Sequence, residues 1–159
     1  LVSTYSIDVY VDKIIDGDTF CSNDQKYRIL GIDTPEVYDS NNNFLPTQGI
    51  QYFYGKLASQ QANLLLNNKL VEIEESTKDI YDRHIVKVTL NNNLDFASYM
   101  VENGYARVAY ISDNEYNPFY YYDTNYVHKL QSLELEAQKL QKGFWKENSS
   151  NINKIFPKK

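Results

Sequence analysis

Apolar and polar positions alternate through the first third of the chain, and the period then lengthens. Residues 7–15 carry the β-branched Ile7, Val9 and Val11 at every second position, the spacing of a strand with one buried face. Asp16-Gly17-Asp18 reads as a turn, Thr19 to Cys21 as the start of a returning strand, residues 22–25 as a second turn and residues 26–32 as a third strand. Asp33-Thr34-Pro35 ends that strand, because proline has no N–H to give to a ladder. Residues 37–54 are polar and aromatic and include Asn41-Asn42-Asn43, Pro46 and Gly49. Loops of this length are uncommon and often functional. After Gly55 the spacing of Leu57, Ala58, Gln61, Leu64 and Leu65 is helical and predicts a helix to Asn67. Alternation returns over residues 70–74 and 85–90, predicting two strands joined by a segment with Tyr81 and Arg83.

Asp95 is placed to cap a short helix through Asn103, with Gly104 as its left-handed stop. Residues 105–111 read as a short apolar strand or extended link, and residues 113–123 as an aromatic, Asn-rich loop. Asp123 or Thr124 then caps a helix with Val127, Leu130, Leu133, Ala137 and Leu140 on one face, stopped by Gly143. Residues 146–159 are polar and read as a loose tail. Three strands, a helix, two strands and two helices suggest an α+β, mainly β domain: a small closed barrel flanked by helices. No repeat or interdomain linker interrupts it.

Composition narrows the chemistry. A chain of 159 residues, 42% hydrophobic and 23% charged, suits one folded domain with one core. No run approaches the ~18 apolar residues of a membrane span, and Leu1 to Tyr5 lack the basic and apolar regions of a signal peptide. The chain starts without Met, so this start says nothing about an upstream signal or anchor. The lone Cys21 excludes an internal disulfide or a multi-cysteine zinc site. His84 and His128 stand far apart without ligand spacing, which disfavours zinc and Ser-His-Asp chemistry. A formal charge of −5 counts against binding nucleic acid by bulk electrostatics, though not against a site with local arginines and a bound cation.

Asp16-Gly-Asp-Thr-Phe20, Arg28 and Asp33-Thr-Pro-Glu36 put several carboxylates, an arginine and a turn proline close together in sequence. Like charges repel, so such a cluster calls for a hard cation, and Ca2+ or Mg2+ takes oxygen ligands. A guanidinium beside the cation suggests a second anion, most naturally a phosphate. Cation, arginine and a spare carboxylate together make a layout for phosphodiester cleavage. The plainer reading makes Asp18 and Asp33 ordinary turn residues, and the pattern alone leaves both open.

The chain also resembles the staphylococcal nuclease (thermonuclease) family. The resemblance rests on Ile15-Asp-Gly-Asp-Thr19, Tyr27-Arg-Ile-Leu-Gly-Ile-Asp-Thr-Pro-Glu36, Asp79-Ile-Tyr-Asp-Arg83, Gly104-Tyr-Ala-Arg-Val-Ala-Tyr110 and Gly143-Phe-Trp145, in the family's order. It implies an OB-fold-like five-stranded barrel with three helices over residues 1–145, leaving 146–159 as a polar tail. It implies a Ca2+ site made by Asp18, Asp33 and the Thr34 carbonyl, with Asp16 beside it or fixing the turn. Arg28 and Arg83 become the catalytic arginines, Glu36 the group that activates or orients water, and Tyr81 and Tyr110 the walls of a nucleotide pocket. In a chain with 15 tyrosines, a packed barrel-rim tyrosine is the competing reading for the last two. Three positions depart from the family pattern. Asp82 stands where glycine is usual and is expected to compete for Arg83. Ile80 stands where a relative has lysine, and Ser112 where one has tyrosine.

The implied activity is a calcium-dependent endonuclease, cutting DNA and RNA with little sequence specificity and leaving 3′-phosphates. It would be a monomer with no stable protein partner, extracellular or at the cell surface. The alternatives are a non-catalytic nucleic-acid-binding barrel, and an OB-like module binding protein or sugar with a purely structural ion.

Overall fold

The computed structural model describes residues 5–158. Residues 1–4 and Lys159, which the expected domain and tail include, lie outside the described residues. The strands are β1 (Ser6–Tyr10), β2 (Lys13–Asp16), β3 (Thr19–Ser22), β4 (Gln25–Ile29), β5 (Ile32–Asp33), β6 (Leu70–Lys78), β7 (His84–Thr89) and β8 (Arg107–Val108). The helices are α1 (Ile50–Leu66), α2 (Phe96–Glu102), α3 (Thr124–Lys139) and α4 (Ser149–Ile155), with a 3-10 turn at Gly143–Lys146.

Six strands form one sheet in the order β1-β6-β7-β4-β3-β2, and β5 pairs separately with β8. β1 and β2 are opposite edges of the sheet, yet only Val11 and Asp12 separate them in sequence. Three residue steps reach at most about 11 Å, so the sheet must curl until its edges approach. The kink itself makes the closure: Val11 bonds to Lys69 and Asn68 on the β6 side, while the Asp12 amide donates to the Cys21 carbonyl on β3. The predicted strand over residues 7–15 is thus one kinked strand shared by both edges. Counted once, it gives the five strands of an OB-like half-barrel. The fold class is α+β and mainly β, as the sequence implies.

The core lies between the inner face of this sheet and three helices. Phe20, Val86 and Val88 meet Ala58 of α1, Met100 of α2 and Leu130 of α3, all essentially without solvent exposure. Asp95 caps α2 by accepting from the Ser98 amide at 3.1 Å, and Asp123 caps α3 by accepting from Tyr126.

Two elements differ from expectation. α1 begins at Ile50 rather than after Gly55. Gly55 sits inside the helix because a Cβ there would lie 2.7 Å from the carbonyl oxygens of both Pro35 and Glu36. What reads as a helix boundary in sequence is a close approach. The expected loose tail is instead the turn Gly143–Lys146 followed by α4. Ile155 is fully buried with Tyr54 and Phe144 in a second cluster against α1, and the Tyr54 hydroxyl donates to Glu147 at 2.6 Å. Among the described residues no helix is long and apolar enough to cross a membrane.

Candidate active site

Strand register, rather than sequence proximity, assembles the acidic cluster. On β3 and β4, Thr19 stands opposite Arg28, and the Ile29 amide donates to the Asp18 carbonyl, so Asp18 and Arg28 are cross-strand neighbours. On β5 and β8, Asp33 stands opposite Arg107. Arg28 bridges the two acids: Nη1 lies 3.4 Å from Asp18 Oδ2 and Nη2 lies 3.7 Å from Asp33 Oδ1. Nη1 also donates to the Ile32 carbonyl at 2.8 Å, which fixes the guanidinium plane. Asp18 is further held by Thr34, whose amide and hydroxyl both donate to Oδ2 at 3.0 and 3.1 Å. Asp18, Asp33 and Thr34 are all buried. Glu36 follows immediately, half-buried, and α1 is pressed against its carbonyl.

The acids do not share one protonation state. Burial alone would raise Asp18, but Arg28 and hydrogen bonds from Asp16, Thr34 and Thr19 outweigh it and hold Asp18 below the usual carboxylate range. Asp16 is pushed well above that range by burial, then by the Asp18 charge and, further off, by Glu36. Asp16 accepts from the Asp18 amide at 3.1 Å, the turn-fixing role allowed by the sequence. Asp33 is raised by burial and by Asp18, with Arg107 and Arg28 opposing. Burial opposes the charge on Arg28, but Asp18 and Asp33 more than restore it, so its guanidinium stays charged.

The remaining candidates divide. Tyr110 is half-exposed and joins the cluster: the Arg28 guanidinium lies 5.9 Å from its ring centroid, and Phe119 meets the ring edge-on at 5.4 Å. Arg83 and Tyr81 form a separate unit. Arg83 lies two residues before Ile85, the β7 partner of Arg28, which is about 6.6 Å along a strand. Its Nε donates to Asp79 Oδ2 at 2.7 Å, and its guanidinium lies 5.3 Å from the centroid of the exposed Tyr81 ring. The expected competitor, Asp82, faces elsewhere: it is exposed and pairs with Lys78 at 3.3 Å. Its φ of 63° accounts for a glycine at this position in relatives. His84 is tied to Glu75 and Gln25 and stacks on Tyr27, which makes it structural.

Sequence reasoning assigned no role to Asp79 or Arg107. Asp79 organises its loop by accepting from the Tyr81 and Arg83 amides as well as the Arg83 side chain. An Asp two residues before a turn carried that signal. Arg107 grips Asp33 Oδ2 with Nε at 3.0 Å and Nη2 at 2.8 Å. It lies 74 positions from Asp33 in sequence, and no spacing rule links them.

The donor chemistry fits a hard divalent cation. Asp18 and Asp33 offer oxygen only, neutralised at present by arginine, and the Thr34 carbonyl follows directly. Among the described residues no group of three or more Asp, Glu, His or Cys forms a ready cage. Two carboxylates must therefore be supplemented by main-chain, water or substrate oxygens.

Residues 26–147 match the family model described as staphylococcal nuclease homologue. The thermonuclease of Staphylococcus hyicus is 31% identical over 141 residues, spanning 85% of this chain and 73% of the relative. The thermonuclease of Staphylococcus intermedius is 30% identical over 141 residues, with 85% and 74% covered. An uncharacterized protein of Methanocaldococcus jannaschii is 32% identical over 155 residues, with 85% and 70% covered. The curled half-barrel with its Asp18–Arg28–Asp33 cluster thus has its counterpart in sequence across most of the chain, which belongs to the staphylococcal nuclease homologue family.

Proposed function

We propose that the protein is a calcium-dependent nuclease that hydrolyses phosphodiester bonds of DNA and RNA with little sequence specificity and leaves 3′-phosphate ends. The observation that carries the reading is the bridge made by Arg28 between Asp18 and Asp33, with Glu36 on the adjoining segment. Asp18, Asp33 and the Thr34 carbonyl would hold Ca2+, which when bound supplies positive charge to the phosphoryl group and acidifies water. Arg28, anchored on the Ile32 carbonyl, is set to donate to a non-bridging oxygen as charge develops there. Glu36 accepts the proton of the attacking water; its oxygen bonds to phosphorus as the bond from phosphorus to O5′ breaks. Arg83 is a second donor, delivered by the loop that Asp79 holds. Tyr81 and Tyr110 present exposed ring faces on which any base can stack, which is a sequence-tolerant form of binding.

The same reading makes the enzyme a monomer acting outside the cell or on its surface, where millimolar calcium suits a site with few carboxylates. The experiment is digestion of plasmid and single-stranded DNA and of RNA with Ca2+, with Mg2+ and with chelator, followed by end-group analysis. Ca2+-supported cleavage by the wild type, lost in Asp18→Asn and reduced about 10²–10³-fold in Arg28→Ala, is the expected outcome. Binding without cleavage under every condition would favour the non-catalytic barrel.

A further inference from the structure

The loop of contacts around Asp33 does not stop at Arg107. The Arg107 guanidinium lies 4.2 Å from the ring centroid of Phe156, directly after α4. Phe156 meets Phe144 edge-on at 5.1 Å, and Phe144 meets Tyr54 of α1 at 6.2 Å. The Phe156 amide is itself fixed, donating to the Ile152 carbonyl at 2.9 Å. A row of packed rings therefore runs from α1 to the guanidinium that holds one oxygen of Asp33, while the other oxygen faces Arg28. The family match ends at residue 147, before α4, so Phe156 lies outside the matched segment.

We propose that Phe156 is a positioning residue for the cation site: its ring fixes Arg107, Arg107 fixes Asp33, and docking of α4 is thereby coupled to cation binding. The proposal rests on the reading of Asp18 and Asp33 as cation ligands. Hydrogen-bond partners of ligating carboxylates set how well those carboxylates are presented. A ring under a guanidinium restrains it without adding charge to the site. Coupling is reciprocal, so bound Ca2+ must stabilise α4 docking by the factor with which docking tightens Ca2+ binding.

The test uses the full chain and Ca2+ titrated by calorimetry, with thermal melts in chelator. Phe156→Leu keeps an apolar side chain and the net charge but removes the ring face; Phe156→Trp restores a ring. Phe156→Leu is expected to weaken Ca2+ binding about three- to fivefold, the worth of a partly exposed cation–π contact. Its melting temperature in chelator should stay near that of the wild type, and Phe156→Trp should bind within about twofold of the wild type. In an Arg107→Ala background the Leu substitution should have no further effect. Arg107→Ala serves only as background, because it also removes a positive charge. Hydrogen exchange at the Phe156 amide should slow on adding Ca2+, by the same three- to fivefold factor. Unchanged Ca2+ affinity in Phe156→Leu overturns the proposal, as does an equal effect with and without Arg107. A flat titration of the wild type instead overturns the cation-site reading itself, and the two failures are thereby told apart.

Discussion

Asp82 occupies φ 63°, a region that costs an ordinary L-residue about 1–2 kcal/mol and Asp somewhat less. Its pairing with Lys78 is exposed and worth little. Asp82→Gly is therefore expected to raise stability by at most about 1 kcal/mol and to leave turnover within about twofold, read from denaturant melts and steady-state cleavage. Asp79 is the residue on which Arg83 depends. Burial would raise its carboxyl, but the Arg83 amide, the Arg83 side chain and the Tyr81 amide together hold it below the usual range. The folded state thus favours ionised Asp79. Its stabilisation is complete above the unfolded carboxylate pKa of about 3.9 and is lost as pH falls through the lower folded value. Asp79→Asn should melt below the wild type at neutral pH, and the gap should close in acid. Cleavage should fall about tenfold or more, because a displaced guanidinium misses the developing charge. A pH-independent gap in melting temperature would place the effect elsewhere.

At the scale of elements, the approach of α1 to residues 33–36 is the most sensitive contact. Alanine is a better helix former than glycine by about 1 kcal/mol, and Gly55 lies within the helix. Helix propensity alone would make Gly55→Ala stabilising. A Cβ 2.7 Å from two main-chain carbonyl oxygens has no flexible side chain to displace, so either helix or segment must shift. Overpacking of this kind costs about 1–3 kcal/mol, which offsets and exceeds the propensity gain. Gly55→Ala is expected to be destabilised in denaturant melts and to lose cleavage activity beyond its loss of stability, because Glu36 moves with the segment. Full activity with higher stability would mean that α1 has slack at this point.

For the molecule as a whole, the C-terminal segment decides how much of the chain works as one body. Ile155 is fully exposed to neither water nor mobility in this packing: it is buried against α1 with Tyr54 and Phe144. Ile155→Ala should cost about 2–4 kcal/mol of global stability, as large-to-small changes in a core do. A loose tail would tolerate the same change within about 0.5 kcal/mol. One denaturant titration of each protein separates these.

Much of the molecule was legible in the residues alone. The alternation of residues 7–15, 70–74 and 85–90, the caps at Asp95 and Asp123 and the stop at Gly104 are local signals, and each element they predict is present. Asp18, Arg28, Asp33 and Thr34 were legible as a group because their motifs are short and lie within one run of chain, and strand register does bring them together. Three features were not legible, for one physical reason: each depends on which distant segments touch. Gly55 looks like a helix start until the carbonyls of Pro35 and Glu36 are seen against it. α4 is polar in composition, and only burial of Ile155 and Phe144 against α1 gives it a reason to fold there. The grip of Arg107 on Asp33, and of Phe156 on Arg107, arises from pairing of β5 with β8 and docking of the chain end. The sequence by itself determined the strands, caps and acid–arginine motifs, since these follow from local periodicity and side-chain chemistry. Tertiary packing alone decided which guanidinium neutralises which carboxylate, because that choice is made across the barrel by residues with no relation along the chain.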